Sequence, residues 1–157
     1  VFLTEFQQGR GRPAPGPLDG AGRRSIYVKA RRNFLPAFLL AFDAPVPFQA
    51  MGRRNVTNVP AQSLALMNDP FVTEQAARWA HKTLADVALA PEQRIDRMVR
   101  EAFARGPTAE ERREAVEFLT AQARRHGVTF AEQPGNEAVW TDFAHALFNA
   151  KEFIFVP

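Results

Sequence analysis

Beyond residue 60, apolar residues recur every three or four positions, as on the buried face of a helix. Proline marks the start of three such segments, at Pro60, Pro70 and Pro91, where a helix needs no N–H donor. Asp69 stands before Pro70 as a predicted N-cap. The segment that begins at Pro70 is expected to run to about Asp86. The pattern therefore predicts consecutive helices joined by short breaks.

Two further helices follow. Thr108 and Glu111 match a capping box, in which each side chain accepts a hydrogen bond from the backbone N–H of the other. That helix is expected to end at Gly127, and the last one begins near Asn136. The apolar positions of the helix that begins at Pro60 include Ala61, Leu64, Ala65 and Met67. The predicted inward-facing residues of the other four, helix by helix, are Val72, Ala76, Trp79, Ala80, Thr83 and Val87; Ile95, Met98, Val99, Ala102 and Phe103; Ala115, Phe118, Leu119 and Gln122; and Trp140, Phe143, Leu147 and Phe148.

The N-terminal third has a different pattern. Residues 9–22 contain five Gly and three Pro, which excludes a helix or a central strand. Residues 34–42 predict one short helix with Leu35, Phe38, Leu39 and Phe42 on one face, and irregular chain continues to Val59. The predicted fold is all-α: a bundle of about five to six helices with an irregular, arginine-rich N-terminal third. The predicted organisation is a single-domain fragment over residues 1–157, irregular over 1–59 and a helical bundle over 60–157.

Some apolar surfaces of this fragment are expected to pack against residues of a longer protein that lie upstream of it. The start, Val1 to Glu5, carries neither a start methionine nor a basic signal-peptide region, so the chain is expected to be part of a longer protein. The aromatic tail at residues 152–156 is expected to pack back on the bundle. Much of the Leu35–Phe42 face and the tail residues Phe153, Ile154 and Phe155 are expected to lean on a missing upstream half. We therefore expect the fragment alone to self-associate or to be marginally stable.

Composition excludes some chemistry and leaves the partner open. The chain has no cysteine, which excludes disulfides, thiolate zinc sites and thiol nucleophiles. No apolar run approaches the ~20 residues of a membrane span. Residues 1–56 carry nine Lys or Arg against three acids, a net +6, and residues 57–157 carry eleven against fourteen, a net −3.

Three arginine pairs lie in the irregular third, at residues 23–24, 31–32 and 53–54. They suit an anionic partner such as nucleic acid, or they pair with acids of the C-terminal helices. The opposite charges of the two parts favour the internal pairing, so nucleic acid is not the expected partner.

The histidines offer no complete site. His81 and His126 lack a His or acidic partner at helical spacing. Asp142, His145 and Asn149 share one face of the last predicted helix, an arrangement common on exposed surfaces. No phosphate-binding glycine loop or nucleophile elbow is present. The sequence thus carries no complete catalytic constellation and predicts no metal and no cofactor, and it leaves enzymatic activity undecided.

Residues 53–70 form the most distinctive stretch, with polar side chains around a short apolar helix. Such a loop needs internal hydrogen bonds to stay ordered, and it can also line a cleft. The candidate residues for a structural or ligand-contacting polar network are Arg24, Tyr27, Asp43, Arg54, Thr57, Asn58, Gln62, Asn68 and Asp69. Gln62 and Asn68 are expected to be structural first, each with a buried side chain bonded to the backbone.

Five blocks of the sequence stand out together. They are Arg23 to Tyr27; Phe42 to Pro45; Arg53 to Pro70; Gly106 to Thr108 with Glu111; and Trp140 to Val156. They span about Arg23 to Val156 and resemble, in the same order, the blocks of the DUF1553 family, a planctomycete-type domain of unknown function. The sequence departs from the family pattern in the Gly-Pro that precedes Thr108 and at residues 28–30.

The resemblance implies that the chain is the C-terminal portion of a large exported protein, of a kind found in planctomycetes, verrucomicrobia and relatives. In such proteins this domain follows a second domain of unknown function and often a cytochrome-c-like domain. The implied location is extracytoplasmic, at the periplasm or cell surface, and the implied context is polysaccharide utilisation. The leading hypothesis is a non-catalytic helical module whose partners are the upstream domains of the same polypeptide. The rival hypothesis is that the chain is part of an enzyme or binding protein that acts on polysaccharides. Glycosidases need two carboxylates, and Asp43 and Asp69 are the candidates among the polar-network residues.

Overall fold

The computed structural model describes residues 37–44, 52, 59–129 and 131–154. Within these ranges the chain is helical and contains no strand, which confirms the all-α prediction. The helices are α1 (Ala37–Ala41), α2 (Pro60–Asn68), α3 (Pro70–Leu84), α4 (Pro91–Phe103), α5 (Ala109–Arg125), α6 (Glu137–Phe148) and α7 (Lys151–Ile154), with a 3-10 turn at Gln133–Gly135. The helix beyond the expected six is α7, which forms from the aromatic tail.

The chain divides into two compact units, Val1–Phe71 and Val72–Pro157. The division lies within α3. The arginine pairs lie outside the described residues, and the single-domain organisation stays a prediction. No helix in the described part combines the length and the apolar content that a membrane crossing requires.

In the first unit α1 packs against α2. The ring of Phe38 lies 5.0 Å from that of Phe42 and 5.6 Å from that of Phe71, measured between centroids. Leu66 is the buried residue of α2. Because α1 is described only from Ala37, the expected inward position of Leu35 lies outside the described range.

The expected helix starts are confirmed by their hydrogen bonds. Asp69 Oδ1 accepts from the Phe71 N–H at 2.9 Å, as an N-cap does. At the start of α5 the Glu111 N–H donates to Thr108 Oγ1 at 3.2 Å, and the Thr108 N–H donates to Glu111 Oε2 at 2.7 Å. Asn136 caps α6 by accepting from the Val139 N–H. These bonds satisfy backbone donors that the first helical turn leaves free.

The core of the second unit lies where α4, α5 and α6 pack on one another, with α3 contributing small residues. Its buried members are Ala76, Ala80, Ile95, Met98, Val99, Ala115, Leu119, Ala123, Val139, Trp140, Phe143, Ala144 and Leu147. Nearly all the predicted inward positions of α3 to α6 are among these residues or half-buried against them. The helical repeat of apolar residues therefore located the core correctly.

One prediction for the second unit is wrong. Val87 was expected inside, but it is 88% exposed, because α3 ends at Leu84 and the helical period does not continue past that residue. Arg94 of α4 is a charged residue that is buried. Its guanidinium lies over the Trp140 ring, 6.0 Å from the centroid, because the long side chain crosses the end of the core to reach backbone carbonyls.

Candidate functional site

The structure describes four of the nine residues in the predicted polar network. Asp43, Gln62, Asn68 and Asp69 lie within the described ranges. The remaining five, namely Arg24, Tyr27, Arg54, Thr57 and Asn58, lie outside them.

Helix α2 separates Gln62 from Asn68 and Asp69. Gln62 is half-buried in the first turn, and its N–H donates to the Val59 carbonyl at 3.0 Å. Asn68 and Asp69 stand at the other end, about 9 Å further along the axis at 1.5 Å per residue. The helix therefore does not gather the three side chains at one point.

Asn68 behaves only in part as the sequence predicted. Its Nδ2 donates to the Leu64 carbonyl at 3.1 Å, so the expected bond to the backbone is present. The expected burial is wrong, because Asn68 is exposed in the last turn of a helix that buries only Leu66. Asp69 is half-buried and caps α3, and Asp43 ends α1 with a positive φ of 57°.

The densest polar cluster in the described part of the chain surrounds Arg105, which the sequence analysis did not single out. Arg105 Nη1 and Nη2 donate to Glu111 Oε2 and Oε1 at 2.8 and 2.7 Å. Nε and Nη2 donate to Glu152 Oε1 and Oε2 at 2.8 and 2.6 Å. Nη1 also donates to the Gly106 carbonyl at 3.2 Å. A guanidinium has five N–H groups, so every donor of Arg105 is used. We call Arg105, Glu111 and Glu152 the Arg105 cluster.

The two carboxylates are held in their charged form. Hydrogen bonds from Arg105 lower the pKa of Glu111 to about 2, and the bond from the Thr108 backbone N–H adds to the effect. Hydrogen bonds from Arg105 also lower the pKa of Glu152. In return, Glu111 and Glu152 raise the pKa of Arg105. The cluster is therefore fully ionised near neutral pH and carries a net charge of −1.

Local backbone geometry places Arg105 between α5 and α7. Ala104 ends α4 in the left-handed region, with φ of 57°, and its N–H donates to the Arg100 carbonyl. This left-handed residue turns the chain away from the α4 axis just before Arg105. Glu111 is fixed independently by its capping box with Thr108. The sequence signal for the cluster was an arginine directly before the Gly106-Pro107 break, three residues from Thr108.

A second chain of polar contacts runs along α3 and α4. Trp79 Nε1 donates to Glu101 Oε2 at 2.7 Å, and Arg97 Nε donates to Glu101 Oε1 at 3.1 Å. Arg97 also lies 3.5 Å from Asp86. The Trp79–Glu101 bond joins α3 to α4, so this group of contacts stabilises the packing of the two helices. Arg112 and Asp96 similarly form a two-bond pair, at 2.9 and 3.0 Å, between α5 and α4.

The polar face of α6 contacts α5. Asp142 Oδ2 lies 2.7 Å from Nε2 of His126, the C-cap of α5. Asn149 Nδ2 donates to the His145 carbonyl on its own helix. The described residues contain no group of three His, Cys, Asp or Glu side chains placed to hold a metal ion. The polar face thus joins α6 to the end of α5 and caps the end of α6.

A small cleft opens beside Trp140. It has a volume of about 140 Å³ between the start of α4, the middle of α5 and the 3-10 turn. Its lining is mostly apolar and includes Ile95, Leu119, Pro134 and Trp140, with Glu92 among the polar residues. Sites for small organic ligands usually measure about 300–1,000 Å³, so this cleft has room for little more than one side chain.

The family follows from a comparison with known proteins. The model of a family described as PSD1, protein of unknown function (DUF1553), matches residues 7–119, which is more than half of the chain. The chain belongs to this family. No curated protein and no solved structure matches it significantly. The matched range includes four of the five DUF1553 blocks recognised in the sequence. It ends before Trp140, so the assignment of residues 140–156 to a closing block of the family stays a prediction.

Proposed function

We propose that this DUF1553 chain is a helical module that completes a larger exported multi-domain protein and acts through contacts rather than catalysis. Its partners in this proposal are the upstream domains of the same polypeptide. The extracytoplasmic location and the cytochrome-c-associated context belong to the proposal and rest on the family resemblance.

The observation that carries the proposal is the apolar face of α2. Leu64 and Met67 lie one turn apart, and their exposed fractions are 58% and 57%. Val59, just before the helix, and Leu40 in α1 are 40% and 42% exposed. Leu64 and Met67 share one side of α2, and exposed apolar side chains grouped in this way are typical of a contact surface. We call Leu64 and Met67 the α2 face.

The energy available at this face suits an intramolecular contact. Fully burying an exposed Leu or Met side chain is worth roughly 1.5–3 kcal/mol. Burying two half-exposed side chains does not supply enough free energy to offset the translational and rotational entropy that two separate proteins lose on association, a cost of about 4–15 kcal/mol or more. A domain of the same polypeptide is covalently linked and therefore present at a high effective concentration. A small apolar face is then enough for a stable contact.

The polar residues beside this face take part in local bonds, which also supports a contact role. Asp69 caps α3, and Asn68 bonds to the backbone of its own helix. The rival proposal, a polysaccharide site in residues 53–69, requires these polar groups to face one ligand. The separation of Gln62 from Asn68 along α2 does not favour that arrangement.

Substitution of the α2 face tests the proposal. The double variant Leu64→Gln with Met67→Gln should lower the Tm of the longer polypeptide and remove roughly 2–4 kcal/mol of its stability. In the 157-residue chain alone the same change should stay within about 0.5 kcal/mol. Val87→Gln is the matched control, because Val87 is also apolar and is 88% exposed.

The opposite pattern would contradict the proposal: an unchanged Tm for the double variant in the longer polypeptide. The rival has its own signature, in which Gln62→Ala weakens polysaccharide binding by the longer polypeptide and leaves its Tm unchanged.

A further inference from the structure

The short helix α7 has little stability of its own. It has four residues, and isolated helices shorter than about 12–15 residues are marginal in water. None of its residues is buried, so it adds no side chain to the core. Its helical form therefore depends on the few contacts that hold it against α4 and α6.

One of these contacts is electrostatic and lies at the surface. Glu152 accepts two hydrogen bonds from Arg105, and Arg105 is itself fixed by two bonds to Glu111. The three side chains are 37–43% exposed. Salt screens charges at this exposure, whereas it leaves the apolar core unaffected or slightly strengthened.

The other contact is aromatic. The Phe153 ring lies 5.1 Å from the Phe148 ring, and the Phe148 ring lies 5.3 Å from that of Trp79, measured between centroids. We call these three residues the aromatic row. Phe153 forms its outer end and is 38% exposed. Phe148 and Trp79 are half-buried beneath it, so a displaced α7 would leave both rings more exposed.

We infer that α7 is a strap, held closed over the aromatic row by the Arg105 cluster, which opens while α4, α5 and α6 stay folded. The link between α6 and α7 consists of Asn149 and Ala150, which is short enough to act as a hinge. The core of the second unit contains no residue of α7, so its packing persists when the strap opens. Local openings of this kind require less free energy than global unfolding. The inference is independent of the proposed function, because all its contacts lie within the second unit.

Amide hydrogen exchange on the 157-residue chain tests the strap. The reporter is the Phe153 amide, which donates to the Ala150 carbonyl at 3.0 Å. Glu152→Gln should lower protection at Phe153 roughly threefold to tenfold, since it removes the charge from a two-bond ion pair at the surface. Raising NaCl from about 0.05 M to about 1 M should act in the same direction. The amides of Ile95, Leu119 and Phe143, in the middle of α4, α5 and α6, should keep their protection.

The control and a second readout make the test specific. Glu117→Gln removes a loose surface pair with Arg113, at 3.9 Å, and should change nothing at Phe153. The chain has two tryptophans, and Glu152→Gln should shift the indole N–H resonance of Trp79 while that of Trp140 stays in place.

Three results would overturn the strap. They are unchanged protection at Phe153 in Glu152→Gln, an equal loss of protection at Phe153 and at the three core amides, and unprotected amides throughout α3 to α7 in the unsubstituted chain.

Discussion

His126 Nε2 lies 2.7 Å from Asp142 Oδ2, and this contact joins the C-terminal end of α5 to the second turn of α6. The two side chains are 39% and 37% exposed. Phe118 and Phe143, whose ring centroids are 6.1 Å apart, form another contact between the same two helices. The His126–Asp142 contact is therefore a polar brace at the edge of the helix pair.

A double-mutant cycle should give this pair a small but measurable coupling. Substituting His126→Ala and Asp142→Ala, singly and together, should show a coupling of about 0.2–1 kcal/mol in urea unfolding at neutral pH. The Arg113–Glu117 pair, at 3.9 Å and about 70% exposed, should show almost none. Equal couplings in the two cycles would mean that the His126–Asp142 contact does not brace α5 against α6.

The Arg105 cluster makes stability depend on pH in the acid range. The pKa of Glu111 is lowered to about 2 in the folded chain, from a usual value near 4.5. A group with a lowered folded pKa stabilises the fold above its unfolded pKa and loses that contribution as pH falls through the folded one. The Glu111 contribution should therefore be complete above about pH 5 and disappear between about pH 4.5 and pH 2.

Glu111→Gln tests this pH dependence, because glutamine keeps the capping-box acceptor and removes the charge. Its free energy of unfolding should vary less between about pH 5 and pH 2 than that of the unsubstituted chain. In Arg105→Lys, the pKa of Glu111, followed by NMR, should move up toward its usual value, since lysine has no planar fork. A Glu111 pKa near 4.5 in the unsubstituted chain would contradict this assignment.

Arg94 should tolerate loss of its charge better than loss of its volume. Its Nη1 and Nη2 donate to the carbonyls of Pro134 and Asp86, while Nε is buried without a partner. Both carbonyls keep another donor, from the Trp140 indole and the Leu89 N–H. Arg94→Met should therefore stay within about 1 kcal/mol of the unsubstituted chain. Arg94→Ala also removes the packing on Trp140, so it should cost about 2–4 kcal/mol. Equal losses for both variants in urea unfolding would show that the charge dominates.

At the junction of α2 and α3, the N-cap residue Asp69 should contribute more to stability than the exposed side chain of Asn68. Asp69→Ala removes the N-cap of α3 and should cost about 1 kcal/mol. Asn68→Ala should cost less than about 0.5 kcal/mol, because water can replace the bond from an exposed side chain. Thermal melts of the two variants check the order, and a larger loss for Asn68→Ala would show that Asn68 is buried in solution.

The helical architecture could be predicted because its signals are local. Pro70 with Asp69, and Thr108 with Glu111, mark helix starts through contacts within three residues, and all of these starts are confirmed. The core-facing residues of α4 and α6 followed from helical spacing alone. Val87 was misplaced because periodicity gives no end point where neither Gly nor Pro stops a helix; α3 ends three residues earlier, at Leu84.

The polar clusters could not be predicted because their members are distant in sequence. Arg105 and Glu152 are 47 residues apart, and His126 and Asp142 are 16 apart. A search for partners three or four residues apart cannot find either pair, because both separations are much larger than one helical turn. The burial of Arg94 could not be predicted for a related reason, because it depends on two backbone carbonyls, those of Pro134 and Asp86, that belong to other segments.

Oxidative footprinting of methionine tests the proposed role most directly. Met67 is 57% exposed in this chain and Met98 is fully buried, so Met98 serves as the internal control. If the α2 face binds upstream domains, the hydroxyl-radical oxidation rate of Met67 should fall roughly tenfold in the longer polypeptide, toward that of a buried residue. Met98 should react slowly in both. An equal Met67 oxidation rate in the 157-residue chain and in the longer polypeptide would contradict the role of this chain as a module completed by its upstream domains.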